Sequence, residues 1–259
     1  MKQKIRASFF VLFLAVLTMG TTLWSAAPLE VTDLAWLTDI HTDKMDPDLK
    51  ASLLQELKDS PADLICITGD IGENESTISF LKELADNVSQ PIAFVLGNHD
   101  YYNTTIQSFN QQVARELPDL YFLSEIDGLP LSEEAILIGA NNWYNLADND
   151  FSKCSVVSHD FSAVHDFQNK PLPQLEKEFK ERAFEVIAQI KKKLDLAFED
   201  GYKTVYLAIH VPPYHSDCYY PSSMTEGNDW RYYWTCSLIG DFLTSYMQER
   251  PGRNLAILS

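Results

Sequence analysis

Four apolar runs of this sequence each end in side chains able to hold a metal ion or move a proton. Asp39-Ile40-His41 follows the run Val31 to Thr38, and Gly69-Asp70 follows Asp63 to Thr68. Gly97-Asn98-His99-Asp100 follows Pro91 to Leu96, and His210 closes the run Lys203 to Ile209. Residues two apart on an extended strand face the same way, so Asp39 and His41 are expected to form a carboxylate and imidazole half-site. Gly69 lets the backbone turn sharply and present Asp70 at a strand end. The third stretch adds an amide oxygen, an imidazole and another carboxylate. Val211-Pro212-Pro213 after His210 turns the chain out of a sheet. Singly, these residues have ordinary explanations as caps, turns or core histidines. Four successive strand ends delivering oxygen and imidazole ligands point to a metal centre.

Taken together, the four motifs resemble the signature of the calcineurin-like metallophosphoesterases, over nearly the whole chain beyond its N-terminal segment. The resemblance implies an α/β fold: a four-layer αββα sandwich of two mixed β-sheets, face to face and flanked by helices. It implies a dinuclear site in which Asp39 and His41 bind one ion, Asp70 bridges both, and Asn98 and His210 bind the other. By the same resemblance His99 is catalytic, stabilising phosphoryl oxygens or protonating the leaving group, and Asp100 holds it in position. The family often has Gly-Asp-x-x-Asp, where this chain has Glu73 three residues after Asp70. The family also places a Gly-His-x-His motif after a later strand. The sequence given reaches Ser259 directly after the run Leu255 to Leu258, so the sandwich is expected to be incomplete at its C-terminus.

These residue types suit hydrolysis of a phosphate ester, whose anionic oxygens repel nucleophiles and whose alkoxide leaves poorly. Two metals roughly 3.5 to 4 Å apart bridge a water, lower its pKa and clamp the oxygens of an in-line displacement. Mixed oxygen and nitrogen ligation suits Mn, Fe or Zn, so two transition-type ions are the expected cofactors. No serine or cysteine stands beside a base, so direct attack by water is expected, without a covalent intermediate. The expected substrate is a small-molecule phosphomonoester or phosphodiester. A nucleotide is suggested by Tyr219, Tyr220, Trp230, Tyr232 and Tyr233 in the segment Tyr214 to Trp234, which either stack on a ligand or pack over the core. The alternatives are a non-catalytic scaffold of the same fold and an exported metal-binding protein. His159 and His165 read as solvated surface.

Strands alternating with helices must position these ligands. Asp46 is placed to cap a helix opened by Pro47, with Leu49, Leu53, Leu54 and Leu57 on one face. Further helices are predicted over Ser76 to Asp86, Ile106 to Leu117, Gln174 to Glu199 and Ser237 to Glu249. In the third of these, Leu175, Phe179, Phe184, Ile187, Ile190 and Leu194 form one apolar stripe. Tyr121 to Ser124, Ala135 to Ala140 and Asn254 to Leu258 read as strands, and a polar irregular stretch runs up to Pro173. No repeat or long linker divides residues 28–259, which read as one domain.

A 46% hydrophobic content is ordinary for a globular chain, and a formal charge of −17 argues against binding a nucleic-acid duplex or an anionic lipid surface. Lys2, Lys4 and Arg6, an apolar run from Phe9 to Leu17, and small residues to Ala27 make residues 1–27 a signal peptide. The run is shorter than the roughly 20 residues of a membrane span. Export to the periplasm or the exterior is therefore expected, without stable membrane insertion once the signal is removed; an uncleaved anchor is the alternative. Export permits disulfides: Cys66 reads as a buried thiol, while Cys154, Cys218 and Cys236 leave three pairings, of which Cys218 with Cys236 is favoured. The N-x-S/T sequons at Asn74, Asn87 and Asn103 matter only in a host that glycosylates exported proteins.

Overall fold

The three apolar runs that lead into Asp39, Asp70 and Asn98 lie side by side in a computed structural model, which describes residues 27–146, 151, 154–218 and 229–259. The signal-peptide reading, Tyr219 and Tyr220 fall outside these residues. Strands β1 (Leu34–Leu37), β2 (Leu64–Thr68), β3 (Ile92–Val95) and β4 (Tyr121–Phe122) form one sheet in that order, parallel throughout. The second sheet has the order β5 (Leu129–Pro130), β6 (Ala135–Gly139), β7 (Thr204–Ala208), β8 (Asn254–Leu258). It is mixed, because β5 runs antiparallel to β6 and the other pairs are parallel.

Alternation along each strand divides the core into two. Leu64, Cys66, Ala93 and Val95 of the first sheet share one cluster with Leu137 and Ala208 of the second. Ile65, Ile67, Phe94, Ile136, Ile138, Val205 and Leu207 point the other way, into the layer shared with the helices. The sheets approach closely at Gly139, where a Cβ would lie 2.7 Å from Leu123 and 2.8 Å from Val95. The outer layers are built from α1 (Pro47–Asp59), α2 (Glu75–Asn87), α3 (Ile106–Glu116), α4 (Asp160–Ala163), α5 (Leu172–Glu199) and α6 (Ser237–Gln248). Among the described residues no helix is long and apolar enough to cross a membrane.

Asp46 caps α1 as expected, accepting from the Asp48 N–H at 2.9 Å. Two side chains leave their expected faces. Phe184 is 51% exposed, because five residues from Phe179 carry it about 140° round the helix and off the stripe. Leu49, in the first turn of α1, is 59% exposed. The stretch before Pro173 is far from purely polar: Trp143, Tyr144, Phe161 and Phe167 are buried in it, and all four make ring contacts with Phe179 of α5. Spaced irregularly among polar residues, they leave no periodic signal.

The cysteines correct one expectation. Cys66 is a buried thiol, pushed up to about 12 by burial. Cys218 and Cys236 are both thiols rather than a cystine: Cys218 Sγ donates to Trp234 O at 3.4 Å, and Cys236 is fully buried ahead of α6.

Lys193 of α5 joins the two sheets at their rim. Its Nζ donates to Leu123 O and Gly139 O, each at 2.7 Å, and to Ser124 O at 3.2 Å. Burial pulls its ammonium down to about 8 from the ordinary 10.5. Lys193→Met should cost about 1–3 kcal/mol for each carbonyl left without a donor. The folded value lies below the unfolded one, so the wild type gains stability as pH rises between them. Denaturant titrations should show the gap between wild type and Lys193→Met widening from pH 8 toward 10.5.

Candidate metal centre

Past the end of β1 and β2 the chains stay paired. Asp39 N–H donates to Gly69 O at 3.2 Å, His41 N–H to Asp70 O at 3.0 Å and Thr42 N–H to Ile71 O at 2.8 Å. The conformation is no longer extended: Asp39, His41 and Asp70 have φ of 52°, 42° and 49°. Left-handed backbone at a residue with a side chain costs about 1–3 kcal/mol and persists only where surrounding contacts hold it. The strand alternation expected to point Asp39 and His41 the same way therefore does not apply to them. Asp39 groups with Asp70 and His210, and His41 with Asp70 and His99, the ligand atoms of each set lying within 4.8 Å of one another.

Asp70 is common to both sets. Its Oδ1 accepts from the His99 N–H at 2.9 Å and lies 3.4 Å from His210 Nε2; its Oδ2 lies 3.7 Å from His41 Nε2 and 3.9 Å from His99 Nε2. This packing requires glycine at two places. A Cβ on Gly69, whose φ is +94°, would lie 2.6 Å from Gly97 N and 2.8 Å from His210 Nδ1. A Cβ on Gly97 would lie 2.3 Å from Asp70 Oδ1.

The fit to a cation rests on where the protons are. His210 Nδ1 is 2.9 Å from Thr68 O, and a carbonyl only accepts, so the ring carries its proton there and presents a lone pair at Nε2. Asn98 Nδ2 donates to Asp160 Oδ1 at 3.0 Å, which turns Asn98 Oδ1 toward His210. Three acceptors, His210 Nε2, Asn98 Oδ1 at 3.1 Å and Asp70 Oδ1 at 3.4 Å, therefore face one another. A cation between them, a metal ion or a proton, relieves that arrangement. Among the described residues His41 Nδ1 is buried without a hydrogen-bond partner, while its Nε2 faces Asp70.

The ionisation tendencies agree. Burial alone would lower His210, but Asp70 and Asp39 outweigh it and raise the ring's affinity for a proton. Asp70 is raised, by burial first. Burial, then Lys44, lowers His41; burial, then His41 and Lys44, brings His99 down to about 4, so His99 is neutral at neutral pH.

Asp100 does not hold His99. Its Oδ1 accepts from Ile71 N–H, Gly72 N–H and Thr77 Oγ1 at 3.0, 3.1 and 2.6 Å, and its Oδ2 from Gly97 N–H at 2.8 Å. With both oxygens committed to the loops after β2 and β3, it braces the turn that carries Asp70. His99 instead meets Lys44 Nζ at Nδ1, 3.4 Å away, and Tyr102 OH at Nε2, 3.3 Å away.

Three supporting residues were not found from the sequence. Asn142, past β6, accepts from the N–H groups of His210 and Val211 at 2.7 and 2.9 Å and donates to Val211 O at 2.8 Å, fixing the His210 turn. Asp160 and Tyr102 hold Asn98 and His99 from behind. The only signal was the position of Asn141-Asn142 at a strand end and of a buried-type tyrosine next to the Asn98 motif. His159 and His165 are exposed as expected, and among the described residues no third group of ligands converges. Tyr232 and Tyr233 are buried, and both contact Phe151, which supports the packing role for that part of the aromatic segment; Trp230 is 46% exposed.

A sandwich that gathers carboxylates, an amide oxygen and imidazoles at strand ends defines a metal-dependent hydrolase. A calcineurin-like phosphoesterase family profile matches residues 33–239, and the chain belongs to that family. Its fold is similar to that of the phosphopantetheinyl hydrolase PptH of Mycobacterium tuberculosis, with a TM-score of 0.60 at 14% identity over 88% of this chain and 82% of that one. A dimetal phosphatase from Danio rerio gives a TM-score of 0.49 at 12% identity over 84% of this chain and 78% of that one. No curated protein matches the sequence.

Gly97→Ala tests the close approach. Overpacking of this kind costs about 1–3 kcal/mol, and here the added methyl displaces the Asp70 carboxylate. The variant should fold with lowered stability and retain less than a tenth of the wild-type bound metal by elemental analysis.

Proposed function

We propose that this phosphoesterase hydrolyses small phosphate monoesters or diesters outside the cytoplasm, with nucleotides among its substrates. The observation that carries the reading is that two acceptor oxygens, Asn98 Oδ1 and Asp70 Oδ1, face the His210 Nε2 lone pair at 3.1 and 3.4 Å. Asp39, His41, Asp70, Asn98 and His210 would hold two ions of the Mn, Fe or Zn type, with Asp70 shared. Such ions neutralise phosphoryl charge and make water a competent nucleophile near neutral pH.

The protein's own groups do the rest. The convergent carboxylates make the site selective for cations, which in turn reverse the local field for an anionic ester. Neutral His99, at the edge of the site, offers an N–H to a phosphoryl or leaving-group oxygen. Lys44, which pairs with Glu73 at 3.1 Å, places a positive group beside it. Exposed Trp230 supports stacking on a base or another flat leaving group. Export is supported by the charge and hydropathy order of residues 1–27.

Purified protein loaded in turn with Mn, Fe and Zn should hydrolyse p-nitrophenyl phosphate or its bis-ester. Asp70→Asn, which keeps the volume and removes the shared charge, should lose nearly all activity while its far-UV spectrum stays unchanged. His99→Ala should keep its metal while turnover falls about 10²- to 10⁴-fold, the range for a positioned acid. Absence of turnover with all three metals overturns the reading, and loss of metal from His99→Ala makes His99 a ligand.

A further inference from the structure

We infer that Asp160 is a positioning residue that sets both working side chains of the Asn98-His99 pair. It turns the Asn98 amide so that its oxygen faces the metal centre, and through Tyr102 it keeps the His99 proton on Nε2. The inference rests on the reading above, in which Asn98 is a ligand and His99 is not.

Asp160 opens α4 and is buried, 62 residues from Asn98 and 58 from Tyr102 in sequence. A buried carboxylate is costly without donors, and this one has three. Its Oδ1 meets Tyr102 OH at 2.6 Å and Asn98 Nδ2 at 3.0 Å, and its Oδ2 meets Tyr144 OH at 2.6 Å. An ionised carboxylate only accepts, so each partner must present a hydrogen. That settles the Asn98 amide, with NH2 toward Asp160 and oxygen toward His210. It also commits the single hydrogen of Tyr102 to Asp160. The Tyr102 oxygen can then only accept from His99 Nε2, 3.3 Å away, which must carry the ring proton.

The far side of the ring gives the same answer independently. Lys44 Nζ lies 3.4 Å from His99 Nδ1, and an ammonium only donates, so Nδ1 holds the lone pair. Nε2 is the nitrogen 3.9 Å from Asp70 Oδ2, on the edge that faces the ligands. Spacing alone allows His99 to ligate there together with His41 and Asp70. A proton held on Nε2 closes that option and leaves there a hydrogen-bond donor, which rests on the Tyr102 oxygen until an ester oxygen replaces it. Asp160 thus separates the two neighbours into one ligand and one donor without touching either ion.

The test uses the full metal-free chain labelled with ¹⁵N-histidine, in which two-bond ¹H–¹⁵N spectra report each ring's tautomer, and the His99 signals are assigned by their loss in His99→Gln. Wild-type His99 should be the Nε2–H form. In Asp160→Leu, which keeps the shape and leaves no acceptor, the Tyr102 hydroxyl is released to donate to Nε2, so an Nδ1–H population should appear. Asp160→Leu combined with Tyr102→Phe should return to Nε2–H, because the competing donor is gone. Tyr144→Phe removes an equally short bond from the other oxygen of the same carboxylate and should leave the tautomer unchanged. Calorimetric titration with Mn²⁺ should show Asp160→Leu binding about 10- to 100-fold more weakly, with kcat reduced more than KM is raised. The inference is overturned by an Nδ1–H tautomer in the wild type, which needs no variant to fold. It is equally overturned by wild-type Mn²⁺ affinity in Asp160→Leu, or by a tautomer shift in Tyr144→Phe as large as that in Asp160→Leu. A wild type that shows these spectra and affinities yet hydrolyses no phosphate ester overturns the proposed function and leaves the positioning role standing.

Discussion

At Gly69 and Gly97 two loops from neighbouring strands pass so close that neither position has room for a methyl group, and the rest of the site follows from that contact. It sets the Asp70 carboxylate against the N–H of His99 and brings it to 3.4 Å from His210, which arrives from the other sheet. The approach has a backbone cost, since Asp39, His41 and Asp70 are all left-handed. Asp100 offsets that cost by accepting three backbone N–H groups and the Thr77 hydroxyl across both loops. A hydrogen bond contributes about 0.5–1.5 kcal/mol net, so four of them are of the size of the strain in the Asp70 turn, even though burial and Asp70 push the Asp100 carboxyl up to about 7. The carboxylate expected to orient a catalytic imidazole is in fact the brace of the turn that carries the bridging one.

A second constraint is electrostatic. The chain bears a formal charge of −17, and it places Asp39, Asp70, Asp100 and Asp160 round a centre whose remaining groups present lone pairs. In the absence of an ion, protons take its place: Asp70 and His210 are both raised, for burial in one case and for carboxylate neighbours in the other. Ions and protons therefore compete for the same lone pairs, and loading the centre releases protons. The acidity that argues against a nucleic-acid duplex or a lipid surface is, within the cleft, what makes a cation site able to receive an anionic ester.

How much of this is legible in the sequence depends on whether a residue acts along its own strand or across to another. Asp39, Asp70, Asn98 and His210 each end an apolar run, with Gly69 and Gly97 ahead of two of them and Pro212 and Pro213 after His210, so local pattern marks them as candidates, and the strands and helices around them fall close to their expected bounds. The side on which Asp39 and His41 point was not legible, because the rule of alternation holds for extended chain and φ at both is positive. Asn142 and Asp160 were not legible either. Their partners at the site lie 58 to 69 residues away, in a stretch whose aromatics are irregularly spaced, and nothing local marks a polar residue there as buried. The expected cystine failed for a related reason: polar surroundings in sequence suggested an exposed loop, whereas Cys236 is fully buried.

The division of labour between the sheets gives the centre a structural consequence. The first sheet supplies Asp39, His41, Asp70 and Asn98 from the ends of three parallel strands, and the second supplies His210 from β7. A direct polar link between them at the site is His210 Nδ1–H to Thr68 O, and Asn142 keeps the β7 turn in register for it. An ion held by Asp70 and Asn98 on one side and by His210 on the other would span the same gap as that hydrogen bond. Binding to the folded arrangement alone would stabilise it by mass action. A loaded centre would thus cross-link the sheets as well as serve chemistry. Lys193 bridges the sheets as well, through Leu123 O and Gly139 O, so their relative position is held by charged groups as well as by the apolar layer between them.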